Sequence, residues 1–347
     1  MKLTLSAENP LEWIAQKMNL VPTPLVETQM YFTVARIIMA AAELGIYEAI
    51  GKGNKTADEI AKTCSTHPHS TTQLINSLVG IGYLNYSNNT YSIVSKYQKW
   101  LLKESEANLI GKLRFQILEW NYLNHLEEFV RNGKALDLHS TITDPKEWES
   151  YQEGMRDLSI NAAKELAGKI PVPAGATKML DIGGSHALYS IELCKKYPAL
   201  SSTVLELAGA VEAASAIAKR YDTSGKVVHK AGNALTDDLG ENVYDIVMIN
   251  NVVHHFTNEQ NLALAKKIAR ALKPKGIYII GEFLRNEKPG EGGVMAAATS
   301  LYFSMTSSSG NWSASEMSGW QTSAGLKPLK TIGAMSIPGW KMTVAIK

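Results

Sequence analysis

The chain has 347 residues, 45% of them hydrophobic and 20% charged, with a formal net charge of +2. That length suits two domains and buries enough apolar surface to fold without a disulfide or structural metal. The composition excludes collagen-like, coiled-coil, disordered and disulfide-scaffold chains. Met1 to Pro10 contains no apolar h-region, so no secretory signal is expected. The most apolar stretch, Met30 to Ile46, is interrupted by Arg36 and Glu43 and falls short of a membrane span. Cys64 and Cys194 stand far apart with no metal-binding spacing, which reads as reduced thiols in a cytoplasmic protein. Residues 1–160 carry 15 basic and 18 acidic side chains, and residues 161–347 carry 20 and 15. Neither half has the basic surplus of a nucleic-acid binder, so neither nucleic acid nor membrane is expected as a partner.

In chain order, Glu27 to Ile50 shows apolar residues at helical spacing over more than one face, ending at Gly51 and Gly53. A helix apolar all round needs cover, which predicts a second copy of this domain and hence a homodimer. Thr56 and Glu59 have the spacing of a capping box. A further helix is expected from Pro68 to Val79, then two short strands around a Ser87-Asn88-Asn89 turn. Helix, helix and hairpin in that order is a winged-helix arrangement. Residues 103–170 are again helical in pattern, with breaks near Gly133 and at Asp144-Pro145.

The character changes at Pro171-Val172-Pro173-Ala174-Gly175, read as a boundary between domains 1–170 and 171–347. Beyond it strands and helices alternate: KMLDIG, HALYSIELCKKY, STVLEL, VEAASAIAKRY, KVVHKAG, YDIVMINN, NEQNLALAKKIARAL and GIYIIGEFL. This predicts an α/β fold with a doubly wound, mostly parallel sheet. LKPLKTIG and WKMTVAIK lie too close for a parallel crossover and should pair antiparallel at the sheet edge.

Ligands of open α/β sheets sit beyond the carboxyl ends of the strands. The first strand–helix turn, starting at Asp181, contains Gly183 and Gly184, where backbone meets ligand without a Cβ. The next strand ends in Glu206, roughly 20 residues on, where a carboxylate accepts ribose hydroxyls. An adenosine-type cofactor follows. No third glycine opens the helix for a pyrophosphate, which disfavours NAD.

These segments, with AGNALTDDLG and YDIVMINNVVHHFTNEQN, resemble class I S-adenosylmethionine-dependent O-methyltransferases. The group most similar has an N-terminal winged-helix dimerisation domain and includes plant caffeate and flavonoid enzymes and bacterial polyketide and carotenoid ones. The resemblance covers nearly the whole chain. It implies that Gly183 and Gly184 pass under the methionine part of S-adenosylmethionine and that Glu206 holds the ribose. It also implies that Leu207 and Ala234 flank the adenine, that Asn233 meets its amino group and that Asn250 lies near the cofactor. Ala187 stands where glycine is usual, and Asn233 where aspartate is usual.

His254-His255 follows a strand at its carboxyl end, beside this crevice. A phenol has a pKa of ~10 and an imidazole ~6.5, so a histidine base works when the proton leaves as the new bond forms. The resemblance makes His254 the catalytic base and His255 a pocket residue in place of a frequent aspartate. Glu282 ends the neighbouring strand, within reach to orient the histidine. Asn311 occupies the position of a second glutamate in plant members. Tyr151 and Met155, four apart on one helical face, and Tyr302 are implied acceptor contacts. No metal-ligand spacing is seen.

The expected activity is metal-independent O-methylation of a hydroxyl on an aromatic or polyketide-like small molecule. Two rivals stay open. One is a fold relative that binds the cofactor but catalyses decarboxylation, hydroxylation or pericyclic chemistry. The other is a winged-helix regulator, against which the acidic N-terminal half argues.

Overall fold

The computed structural model describes residues 6–347, which form two compact units that divide between Leu118 and Glu119. The first contains α1 (Pro10–Lys17), α2 (Thr23–Glu43), α3 (Ile46–Ile50), α4 (Ala57–Cys64), α5 (Pro68–Gly80), β1 (Leu84–Ser87), β2 (Thr90–Ile93) and α6 (Ser95–Leu101). The division falls inside α7 (Ile110–Leu123). The single helix expected over 27–50 is two, because Gly45 adopts φ 75° and turns the chain between α2 and α3. Thr56 and Glu59 cap α4 reciprocally, each side chain accepting the other's backbone N–H. The hairpin turns on Asn88 and Asn89, both at positive φ, as a two-residue type I′ loop demands. Ser87 is the last residue of β1 rather than part of the turn. Ile46, Tyr47, Ile60, Ile75, Leu78 and Leu84 form the centre of this unit's core.

The second unit continues with α8 (Leu126–Asn132), α9 (Leu138–Thr141), α10 (Pro145–Ala167), β3 (Lys178–Ile182), α11 (Leu188–Lys196), β4 (Ser201–Glu206), α12 (Val211–Lys219) and β5 (Val227–Ala231). It ends with β6 (Tyr244–Asn250), α13 (Asn258–Ala271), β7 (Leu272–Phe283), α14 (Gly293–Thr306), α15 (Ala314–Ser323), β8 (Lys327–Pro328), β9 (Ile332–Gly333) and β10 (Trp340–Ile346). The strand order is β5-β4-β3-β6-β7-β10-β8, with β9 also on β10. Strands β3 to β7 pair parallel, and β10 runs antiparallel to β7. The strand expected over LKPLKTIG is broken into β8 and β9, both antiparallel to β10. Pro171–Gly175 connects α10 to β3 within this unit, and α10 packs on α11 and α12.

Side-chain alternation explains the two helical layers. Met179, Ile246, Met248, Ile277 and Ile279 face one core with Ile160, Ala163 and Leu166 of α10. Leu180, Val247, Ile249, Tyr278 and Ile280 face the other, with Leu264 and Ile268 of α13 and Trp320 of α15. A parallel sheet covered on both faces requires such continuous apolar strands. Among the described residues no helix is long and apolar enough to cross a membrane.

The register sets Ile182 beside Leu205 and Ile249, and Asn250 beside Gly281, so the ends of β3, β4, β6 and β7 meet along one edge. Gly281 is required there: a Cβ would overlap both the Asn250 side chain and the Trp340 ring. Gly281→Ala should therefore cost about 1–3 kcal/mol in urea unfolding, the range for overpacking a tight core. An unchanged midpoint would show that Trp340 yields without cost.

Candidate active site

The turn after β3 stands at the carboxyl ends of the strands, where open α/β sheets form their ligand crevice. Gly183 has φ 64°, and a Cβ on it would come within 2.6 Å of Val252. A Cβ on Gly184 would lie 2.5–2.9 Å from the Asp181 carboxyl group. Both glycines are thus demanded by close approach. Asp181 points inward: Oδ2 accepts the Ser190 hydroxyl at 2.6 Å, Oδ1 is buried with no partner, and burial pushes its pKa up to about 7. Ser185 and Ala187 also take left-handed backbone, at φ 47° and 60°, a conformation that costs a non-glycine residue about 1–2 kcal/mol. Ala187 is fully buried in the sheet's core, which directs its methyl away from solvent.

Glu206 faces this turn from the end of β4. Its oxygens accept the Ser185 N–H at 2.8 Å and the Leu207 N–H at 3.2 Å, each keeping a further lone pair. Burial raises its pKa, against these two hydrogen bonds. Leu207 is exposed, whereas Ala234 is buried. Asn233 folds into a local turn, its Oδ1 accepting the Leu235 N–H at 2.9 Å. Asn250 is buried with both side-chain polar atoms unpartnered. A glycine cradle, a carboxylate with spare lone pairs and an orphaned amide fit S-adenosylmethionine, which Gly183, Gly184, Glu206 and Asn250 would hold.

A second group of residues, past the end of β6, centres on His254. Asn251 turns the chain at φ 53°, and Thr257 and Gln260 start α13 with a reciprocal capping box. Between them the chain has room for one 3-10 turn, Val253–His255. Three donors clamp it: Asn261 Nδ2 and Trp312 Nε1 reach the Val253 carbonyl at 3.0 Å, and the Ser309 N–H reaches the His254 carbonyl at 3.2 Å. His254 Nδ1 lies 2.8 Å from Glu282 Oε2, with both residues buried. The other Glu282 oxygen accepts the Phe283 N–H at 3.0 Å. Nδ1–H donates to the carboxylate, so the lone pair of His254 is on Nε2.

Rings surround this pair. The His255 ring lies 4.2 Å from that of His254 and 4.6 Å from that of His139, and Phe303 packs on His254 at 4.5 Å. Burial, then the neighbouring His254 and His139, hold the His255 pKa down at about 2. His139 bonds the Tyr151 hydroxyl at 3.1 Å and stacks on Trp148. The Tyr302 hydroxyl is buried beside the Glu119 carboxyl, and burial above all raises its pKa. Asn311 Nδ2 donates to the Phe283 carbonyl at 2.8 Å, one residue from Glu282, and leaves Oδ1 buried and unpartnered.

The structure therefore gathers His254, His255, Glu282, Tyr151 and Tyr302 in one ring cluster, and Asn311 beside it. Met155 shares the face of α10 with Tyr151, and its carbonyl accepts the Ser159 hydroxyl at 2.9 Å. His139 escaped the sequence reading because it sits on a four-residue helix with no periodic pattern around it. Among the described residues no group of three or more His, Cys, Asp or Glu side chains is placed to hold a metal ion.

The model of the O-methyltransferase domain family matches residues 125–327. The chain is 26% identical over 275 residues to a mitomycin biosynthesis 6-O-methyltransferase of Streptomyces lavendulae, covering 74% of this chain and 75% of that protein. It is 25% identical over 342 residues to a 3-hydroxy-5-methyl-1-naphthoate 3-O-methyltransferase of Streptomyces sahachiroi, covering 93% and 94%. The fold is similar to that of human N-acetylserotonin methyltransferase in complex with SAM, with a TM-score of 0.81 over 99% of both chains at 17% identity.

Behind the crevice His186 is buried. Its Nδ1 accepts the Leu188 N–H at 3.2 Å, and burial, then the Arg156 charge, hold its pKa down at about 3. The stability it contributes is therefore complete above its ordinary value of 6.5 and is lost as pH falls toward 3. Between pH 6.5 and 4, unfolding free energy should fall by up to about 1.4 kcal/mol per pH unit from this group. His186→Asn, which keeps an acceptor for Leu188, should flatten that slope. Equal slopes in the two proteins would remove His186 as its cause.

Proposed function

This chain belongs to the O-methyltransferase domain family, and from that premise we propose His254 as the general base of a metal-independent O-methylation. The methyl donor is S-adenosylmethionine, which supplies an electrophilic methyl group on a sulfonium. The proposed acceptor is a hydroxyl on an aromatic or polyketide-like small molecule. That class is supported by the flat lining of His139, Trp148, His255 and Phe303 and by the names of the relatives.

The observation that carries this reading is the buried 2.8 Å hydrogen bond between His254 Nδ1 and Glu282. As the oxygen gains its methyl group, the hydroxyl proton passes to His254 Nε2, and Glu282 balances the imidazolium that forms. His255, whose burial keeps it neutral, orients the acceptor without competing for the proton. Tyr151, Met155, Tyr302 and Asn311 complete the acceptor wall in this reading. Leu207, Asn233 and Ala234 border the adenine.

His254→Ala should lower turnover by about 10²–10⁴, the usual contribution of a general base. It also strands a buried carboxylate, a change worth about 3–5 kcal/mol of stability. His254→Asn is the matched control, since its Nδ2 still donates to Glu282 while no base remains. Glu282→Gln should cost less turnover, and His255→Ala should chiefly raise the acceptor KM. Near-normal turnover of His254→Asn at neutral pH, with radiolabelled methyl and a phenol panel, would reject the base assignment.

The proposed role of the N-terminal unit is a winged-helix dimerisation domain, in a protein of the cytoplasm. Leu11, Trp13, Ile14, Leu25, Met30 and Phe32 of α1 and α2 are exposed in the single chain, which supports a covering partner copy. Two free thiols, Cys64 and Cys194, suit a reducing compartment. Light scattering at micromolar concentration should give the mass of a dimer, and Phe32→Asp should shift it toward the monomer. A monomeric mass for the unaltered protein would overturn this assignment.

A further inference from the structure

Ser185 has each of its three polar groups held by a different element. Its N–H donates to Glu206 at the end of β4 at 2.8 Å. Its carbonyl accepts from His229 Nε2 on β5 at 2.7 Å. Its hydroxyl donates to Gln152 Oε1 on α10. The next residue, His186, meets Ser159 of α10 at 3.1 Å. Gln152 and Ser159 are seven apart, hence on one face of the helix, and both are buried. Two successive residues of the crevice turn are thus tied to the helix that also presents Tyr151.

We propose that Gln152 is a positioning residue for the methyl donor. Ser185 is held at φ 47°, in the left-handed region that a serine leaves when nothing restrains it. Rotation out of that region withdraws its N–H from Glu206. The carboxylate then keeps only the longer of its two backbone contacts, that to Leu207, and loses the orientation needed to receive two ribose hydroxyls. Gln152 prevents this by anchoring the serine side chain from α10, so donor affinity depends on a helix outside the sheet. This role of Gln152 rests on the reading that Glu206 holds the ribose.

The test is calorimetry with S-adenosylmethionine, and with S-adenosylhomocysteine to remove the sulfonium charge, on Gln152→Met, Ser185→Ala and their double variant. Gln152→Met keeps the length and bulk but has no oxygen to accept the serine hydroxyl. Each single change should raise Kd for both ligands about three- to tenfold, with the KM for the donor rising more than kcat falls. The double variant should bind no more weakly than either single one, since both remove the same bond. Additive losses, or an unchanged Kd in Ser185→Ala, would overturn the proposal. If Gln152→Met fails to fold, Ser185→Ala alone decides. Glu206→Ala separates the two readings. Weak binding there with unchanged Kd in the other variants rejects the role of Gln152 alone. Unchanged binding there rejects the ribose assignment, and the role of Gln152 with it.

Discussion

A carboxylate cannot be removed from water without a partner, and Glu282 is wholly buried at the end of the sheet's longest strand. His254 is that partner, and much of the surrounding structure serves to bring it there. The register of β6 against β7 places the chain leaving Asn250 next to Glu282. The capping box of α13 then leaves space for a single tight turn, which Trp312, Asn261 and Ser309 hold by its carbonyls. A histidine so constrained has one tautomer and one direction in which its free nitrogen can face.

The turn after β3 is built under a different constraint, that of backbone packed tightly against side chains. Gly183 and Gly184 leave no space for side chains beside Val252 and Asp181, and Ser185 and Ala187 accept left-handed conformations to complete the turn. Strain of this kind persists only where surrounding contacts over-determine it. Those contacts come from β4, β5 and α10 together. The turn is therefore a joint property of three elements, although its sequence lies between β3 and α11.

The periodic features were legible in the sequence. Alternating strands and helices, apolar on both faces of the sheet, specify a doubly wound architecture whatever the loops do, and the Thr56–Glu59 box fixes a helix start by local bonds alone. His254 and Glu282 could be placed near each other because strand ends of a parallel sheet converge, whereas the roles expected of them came from the family resemblance. Local deviations were less visible. Gly45 splits a continuous helical pattern because its left-handed φ costs glycine little, and periodicity does not register that freedom. The strand over LKPLKTIG breaks because β10 offers it only two short stretches of pairing.

What the sequence by itself determined is the set of elements and the strand ends at which chemistry collects, since hydrophobic period and caps act over a few residues. Only the tertiary structure decided which side chains meet there. His139 joins His255 across 116 positions of chain, and Gln152 joins Ser185 across 33, through contacts that no local pattern encodes. Such pairings depend on how a helix lies across a sheet, which is set by the packing of α10 on α11 and α12 rather than by the residues that come into contact.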